Sequence, residues 1–241
     1  VNYFINEFLV EQSLNMIFAS AGQGKSFLVL AIAIRLLQEG RVSKCLYLDM
    51  DNSTMALKSR SLDELLDNNR DLTYLHHSKT EAKGSELLLQ LGKEVNVEKK
   101  SLLNLLIVID SIRDFGGGRD MNSDKEIMPI MDNLKKLREA GATIIFLHHS
   151  KKDSDGGVYK GSTSFLDSVD VAYMLESEKS SNQTLTYSLS VYKDRIPVNN
   201  TSFKLNTNTF DLRNENYAMN QLNKHEQKFI ELVNKVLAVD S

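Results

Sequence analysis

The stretch "ASAGQGKS", residues 19–26, sets two glycines, a lysine and a hydroxyl at a spacing that suits one kind of chemistry. Gly22 and Gly24 permit the backbone angles that turn successive N–H groups toward an anion. Lys25 is long enough to reach the outer phosphates of a nucleotide, and the Ser26 hydroxyl can ligate Mg2+. Such a loop works when it runs from a strand into a helix, because the helix N-terminus adds positive potential. The flanking residues read that way: "LNMIFAS" (14–20) as a buried strand and "GKSFLVLAIAIRLLQEG" (24–40) as a helix closed by Gly40. Ala19 stands where the pattern G-x-x-x-x-G-K-[ST] has its first glycine. A plain glycine-rich turn would leave the Lys25–Ser26 pair unexplained. The predicted phosphate-binding set is Ala21, Gly22, Gln23, Gly24, Lys25, Ser26 and Phe27.

Carboxylates and histidines end three other apolar runs. Asp110 closes "NLLIVID" (104–110), a run apolar enough for mid-sheet, so its carboxylate should emerge at the C-terminal edge and hold Mg2+ through water. A strand-end aspartate also commonly caps a turn; the loop at 19–26 favours the metal role. Asp49 and Asp51 end "KCLYLDMD" (44–51), and alternation sends both to one side if the strand runs that far. Either can orient or deprotonate a water, and simple solvation of a strand end is the alternative for each. His148 and His149 end "ATIIFLHH" (142–149). Strand neighbours point to opposite faces, so the two cannot chelate one ion together. A polar sensor of phosphate, or ordinary packing for one of them, is expected.

The elements that would position these groups alternate. Strands at 14–20, 44–51, 71–77, 104–110 and 142–149 are separated by helical patterns, which predicts a parallel sheet covered on both faces. Ser61-x-x-Glu64 reads as a capping box. In "SDKEIMPIMDNLKKLREAG" (123–141), Ile127, Ile130, Met131, Leu134 and Leu137 share one helical face. Ser123-x-x-Glu126 favours an early start for that helix, and Pro129 a later one. Beyond residue 170 the pattern becomes strands without helices: "VDVAYMLES", "LTYSLSVYKD" and "TSFKLN". These should add antiparallel pairs at one sheet edge. "NKHEQKFIELVNKVLAV" (223–239) reads as an amphipathic helix. "LHHSK" occurs at 75–79 and 147–151, an echo taken as chance.

The 241 residues carry a formal charge of −3 and 41% apolar content, which argues against a blanket polyanion binder and leaves room only for local basic patches. The one cysteine, Cys45, excludes an internal disulfide and fits a reducing compartment, hence the cytoplasm. No apolar run approaches the roughly 20 residues of a membrane span, and no signal peptide is visible. The start at Val1 suggests a domain trimmed from a longer protein.

The order of these motifs resembles the RecA-type P-loop ATPase core, most closely the hexameric replicative helicases of the RepA/DnaB kind, over roughly residues 10–206. The resemblance implies ATP and Mg2+ as cofactors, an α/β RecA-like fold, and an ATPase domain at 1–206. Residues 207–241 would form a C-terminal strand and helix extension. It implies Lys25, Asp51, Asp110, His149, Lys193 and Arg195 as catalytic residues. Asp51 stands where the family has a catalytic glutamate, "LLIVIDS" matches its metal strand, and His149 or His148 matches its γ-phosphate sensor. "VYKDR" (191–195) resembles the K-x-R placed in a neighbour's ATP site. "SIRDFGGGRDMNSD" (111–124), with Arg113 and Arg119, and "SKKDSDGGVYKGS" (150–162), with Lys151, Lys152 and Lys160, resemble loops that grip single-stranded DNA. Phe115 or Tyr159 would then stack a base. Flexible surface loops with nearly balanced charge are the plain alternative. The implied function is a DNA-translocating homo-oligomeric ring, a hexamer with a fused or associated primase domain. The alternatives are a RecA/KaiC-type recombination or regulatory ATPase without unwinding, or a nucleotide-binding scaffold.

Overall fold

Alternating apolar runs and helices build one sheet with helices on both faces. The computed structural model describes residues 1–59, 61–98, 101–118, 120, 123–149, 163–222, 226–230 and 233. A small antiparallel pair, β1 (Tyr3–Ile5) and β2 (Leu9–Val10), precedes β3 (Leu14–Ala19) and α1 (Lys25–Gln38). Then come β4 (Lys44–Asp49), α2 (Thr54–Ser59), α3 (Leu62–Asn68), β5 (Leu72–His76), α4 (Gly84–Glu98) and β6 (Leu105–Asp110). The chain continues through α5 (Asp124–Glu139), β7 (Thr143–His149), α6 (Thr163–Ser168), β8 (Val171–Ser181), β9 (Thr184–Asp194), β10 (Thr201–Asn206), β11 (Leu212–Glu215) and α7 (Tyr217–Asn220).

The sheet order is β11-β10-β9-β8-β3-β7-β6-β4-β5. From β8 to β5 every neighbouring pair is parallel, so the C-terminal ends of β3, β4, β6 and β7 share one edge. The pairs β8–β9, β9–β10 and β10–β11 are antiparallel. The expected antiparallel edge is therefore present, but its first strand, β8, joins β3 in parallel. β11 continues the same sheet past residue 206.

Two apolar layers flank the sheet. α1, α2 and α3 pack on one face with Tyr47, Val108, Leu147, Tyr173 and Tyr187. On the other, α4, α5 and α6 pack with Met16, Ile109 and Phe146. α1 buries nine of its fourteen residues and leaves only Gln38 exposed, as its all-round apolar sequence requires. α5 buries the predicted face, Ile127, Ile130, Met131, Leu134 and Leu137.

Local signals fared less evenly. α5 takes the early start, with Ser123 at its N-cap and Pro129 inside, yet the Ser123 side chain makes no capping bond. Ser61 does precede α3, but at φ 49°, in the left-handed region, with no side-chain cap; the capping box is not formed. Gly40 is one residue beyond the Glu39 C-cap and takes the left-handed angle, φ 64°, that ends such helices. Most of the amphipathic pattern at 223–239 lies outside the described residues.

Candidate functional site

The loop after β3 turns into α1 through Gly24, which sits at φ 70° and ψ 25° as the N-cap. Gly22 is also left-handed, at φ 83°. The first N–H groups of α1 therefore face the loop, as they do at any helix N-terminus. Lys25 reaches back across the loop: its Nζ lies 3.1 Å from Ala19 O, 3.2 Å from Ser20 O and 3.3 Å from His149 Nδ1. Burial holds the Lys25 amine below its ordinary range, and the nearby Asp110 and Asp51 carboxylates oppose that shift. Gln23 ties the loop to β8, its Oε1 accepting from Ser177 N at 2.8 Å and Ser177 Oγ at 3.0 Å. Tyr187 of β9 donates to Gly24 O at 3.2 Å. Ala21 and Gly22 are exposed at the loop crest. The Phe27 ring packs on Phe210 with centroids 5.7 Å apart, so what it offers the site is backbone.

Beside the loop, β4 and β6 end in register, Asp49 opposite Asp110. Both carboxylates are buried. Asp110 accepts from Tyr47 Oη at 3.0 Å, from Asn52 Nδ2 at 3.1 Å and from the Ser26 hydroxyl. Burial, and then the neighbouring Asp49, push the Asp110 carboxyl up to about 6. Burial likewise drives the Tyr47 hydroxyl well above its usual range. Asp49 Oδ1 accepts from Asp51 N at 3.1 Å and Asn52 N at 3.0 Å, and Tyr74 donates to Asp49 Oδ2.

The expectation that Asp49 and Asp51 share a strand face fails, because β4 stops at Asp49. Asp49 satisfies the turn that follows, and this curls Asp51 out to the rim. There its Oδ2 meets His149 Nε2 at 3.1 Å. That hydrogen bond, chiefly, holds the Asp51 carboxyl below its ordinary range. The two histidines do diverge. His149 faces α1 and Lys25, whereas His148 is buried on the other face with its ring 5.0 Å from Phe165. Burial holds His148 down at about 4. Geometry therefore selects His149 as the histidine at the phosphate loop.

Arg113 is exposed in a short 3-10 turn, Ile112–Phe115, close enough to Asp51 to help lower its carboxyl. Phe115 is fully buried, so its expected base-stacking role is withdrawn. Arg119, Lys151, Lys152, Tyr159 and Lys160 lie outside the described residues.

Lys193 and Arg195 lie elsewhere. Asp194 pairs with Val171, and Val171 with Asn15 at the start of β3, so this end of β9 is at the sheet edge opposite the phosphate loop. Lys193 Nζ donates to Leu166 O and Arg195 Nη2 to Asp167 O, both near the C-terminus of α6. Two cations on helix-terminal carbonyls are favourably placed on local grounds alone.

Three residues at the site carried no sequence motif. Asn52 links Ser26, Asp49 and Asp110, while Tyr47 and Tyr74, stacked with centroids 4.7 Å apart, seat the two carboxylates. The parallel register of β4 and β5, Tyr47 opposite Tyr74, creates the stack. The only available signal was Tyr47 two residues before Asp49, hence on the same strand face.

A family model described as an AAA domain matches residues 1–155. The chain belongs to the AAA domain family. The structure is similar to that of a KaiC-like protein from the hyperthermophilic archaeon Pyrococcus horikoshii OT3, at TM-score 0.58 and 13% identity, with 86% of this chain and 91% of that chain covered. At that identity the likeness speaks for the fold, which is RecA-like. No curated protein matches the chain. Fold and family together make this a RecA-type P-loop ATPase domain.

The residues fit the cofactors such a domain uses. Left-handed Gly24 at a helix N-terminus, with a buried lysine beside it, suits a polyphosphate. Among the described residues no three His, Cys, Asp or Glu side chains converge to hold a metal unaided. Magnesium in phosphoryl-transfer sites needs only one or two protein oxygens plus phosphate and water. Ser26 and Asp110 supply those oxygens, with the Asp110 and Asp49 carboxylates buried side by side next to the loop. Among the described residues no helix is long and apolar enough to cross a membrane.

Proposed function

We propose that the chain is one subunit of an ATP-hydrolysing ring, a hexamer, that translocates on single-stranded DNA as a replicative helicase of the cytoplasm. An associated primase domain belongs to the same reading. The observation that carries it is the place of the Lys193–Arg195 pair, at the sheet edge opposite the chain's own phosphate loop. Head-to-tail assembly is the arrangement that sets such a pair against a neighbour's nucleotide.

In this reading the loop N–H groups and Lys25 cradle the β- and γ-phosphates, and Ser26 and Asp110 hold magnesium. Bound magnesium supplies charge neutralisation at the phosphates. Asp51 takes a proton from the attacking water, its carboxylate kept ionised by His149. His149, touching both Lys25 and Asp51, senses the γ-phosphate. Arg195 and Lys193 of one subunit stabilise charge spreading on the next subunit's phosphate. Arg113, Arg119, Lys151, Lys152 and Lys160 contact the DNA backbone, which predicts steep salt dependence.

The test is a mixing experiment. Lys25→Ala and Arg195→Ala rings should each be nearly inactive, while mixed rings regain partial ATPase activity at interfaces that join an intact loop to an intact Arg195. Proven co-assembly without recovery sinks the trans assignment. Stimulation of ATPase by single-stranded DNA and displacement of a forked duplex then test the helicase. A second reading, a regulatory or recombination ATPase without unwinding, is favoured by the likeness to a KaiC-like protein. Stimulation without displacement would select it.

A further inference from the structure

The Asn52 side chain lies where three oxygens converge. Its Nδ2 is 3.1 Å from Asp49 Oδ1, 3.1 Å from Asp110 Oδ2 and 3.4 Å from Ser26 Oγ. Ionised carboxylates only accept, so the amide must turn its nitrogen into this cluster rather than its oxygen. That nitrogen carries two N–H groups, so three oxygens share two donors. A cation has no such limit. Asp49 and Asp110 are 0% and 1% exposed, so a neutral amide offsets their charge only weakly.

We infer that the Asn52 carboxamide holds the place of the cation between Ser26, Asp49 and Asp110, and that magnesium loading displaces it. This rests on the reading of Ser26 and Asp110 as the magnesium ligands. Magnesium held by Ser26 Oγ and, through water, by Asp110 would need the space that Nδ2 now fills, 3.4 Å from Ser26 Oγ and 3.1 Å from Asp110 Oδ2. The amide cannot stay between them.

Its departure has a consequence one residue away. The Asn52 backbone is pinned on both sides: its N–H donates to Asp49 Oδ1 at 3.0 Å, and its carbonyl lies 2.8 Å from His76 Nε2 and 3.1 Å from His77 Nε2. The side chain is thus the part able to swing. Asp49 Oδ1 also accepts from Asp51 N at 3.1 Å, so the carboxylate that the amide would leave is the one that holds the turn presenting Asp51.

The experiment measures affinity for a fluorescent ADP analogue in chelator and across a magnesium series, for wild type and Asn52→Ala. The affinity of each protein in chelator is its own baseline, so the readout is the magnesium dependence and not the absolute affinity. The magnesium needed for half-maximal strengthening should fall about tenfold in Asn52→Ala, the scale of one hydrogen bond to a charged group that the metal no longer displaces. Nucleotide-free Asn52→Asp should gain thermal stability from magnesium alone, where wild type does not. A magnesium requirement unchanged or raised in Asn52→Ala overturns the inference, since Asn52 would then assist the metal and not compete with it. Asn52→Ser carries the same expectation should the alanine variant not fold. Wild-type protein that binds nucleotide with no response to magnesium would overturn the metal site itself, a different result from an unaltered requirement in the variant.

Discussion

Replacing Gly24 with alanine tests the loop geometry without reference to turnover. Gly24 has φ 70°, and a Cβ built there would lie 2.7 Å from Tyr187 Oη and 3.4 Å from Tyr187 Cε1. The left-handed angle costs an L-residue roughly 1–2 kcal/mol. Tyr187 cannot retreat cheaply, because it is fully buried and donates to Gly24 O. Overpacking against such a side chain adds roughly 1–3 kcal/mol. A total of about 3 kcal/mol should lower the melting temperature by about 6–12 °C, at 2–4 °C per kcal/mol for a chain of this size. Thermal unfolding followed by circular dichroism reads this in nucleotide-free protein. Tyr187→Phe removes the oxygen nearest the new methyl and by itself costs about 1 kcal/mol for its hydrogen bond. The double variant should therefore be more stable than the sum of the singles by about 1 kcal/mol. Strict additivity, or a Gly24→Ala protein that melts with wild type, refutes the reasoning.

Three further outcomes are expected. Asp110 has its folded-state pKa raised to about 6. Between pH 4 and 6 the folded state therefore binds the extra proton, and stability falls as pH rises through that window. Asp110→Asn should flatten this slope in pH-dependent melting; because His148, held at about 4, contributes the opposite slope, the wild-type minus variant difference is the readout, and a flat difference refutes the assignment. Lys25→Ala should abolish ATP hydrolysis and leave the melting temperature nearly unchanged, since burial already disfavours the charged amine; unchanged turnover would remove the ATPase reading. Asp51→Asn should bind ATP and turn over about 10²-fold more slowly, the scale of a lost general base. A fully active Asp51→Asn beside a folded but inactive Asp49→Asn would reverse that choice.

The strands, the parallel sheet and the loop could be read from residue patterns because each rests on local rules. Alternation alone sent His148 and His149 to opposite faces, and the 3.6-residue period alone picked the buried face of α5. What resisted were features decided between strands. That Asp49 would be buried and Asp51 turned out depended on where β4 ended, and the buried carboxylate capping its own turn set that point. The Tyr47–Tyr74 stack and the placing of His76 opposite Asp49 depend on the β4–β5 register, which no single run encodes. Ser61 offered a helix start by composition, yet it takes a left-handed angle and makes no capping bond. Phe115 sat in a glycine-rich stretch that suggested solvent, yet its ring fills the α4–α5 layer.

The direction of β9 decides where its terminal cations can act. Tyr187, in the middle of that strand, touches the chain's own phosphate loop at Gly24. Arg195 follows Tyr187 by eight residues, and an extended chain advances about 3.3 Å per residue, which separates the two by about 26 Å. An arginine side chain is far too short to span that gap back to the loop. Because β8 is parallel to β3 and β9 antiparallel to β8, the far end of β9 must also lie at the N-terminal edge of the parallel strands. No rotamer of Arg195 or Lys193 can therefore serve this chain's own phosphates. If these cations take part in hydrolysis they do so on another subunit, and activity must rise with protein concentration as rings assemble. ATPase assays across a dilution series, with assembly followed by sedimentation, should show turnover per chain falling as rings dissociate. Turnover per chain that stays constant into the monomer range would leave Lys193 and Arg195 as caps on the α6 carbonyls and nothing more.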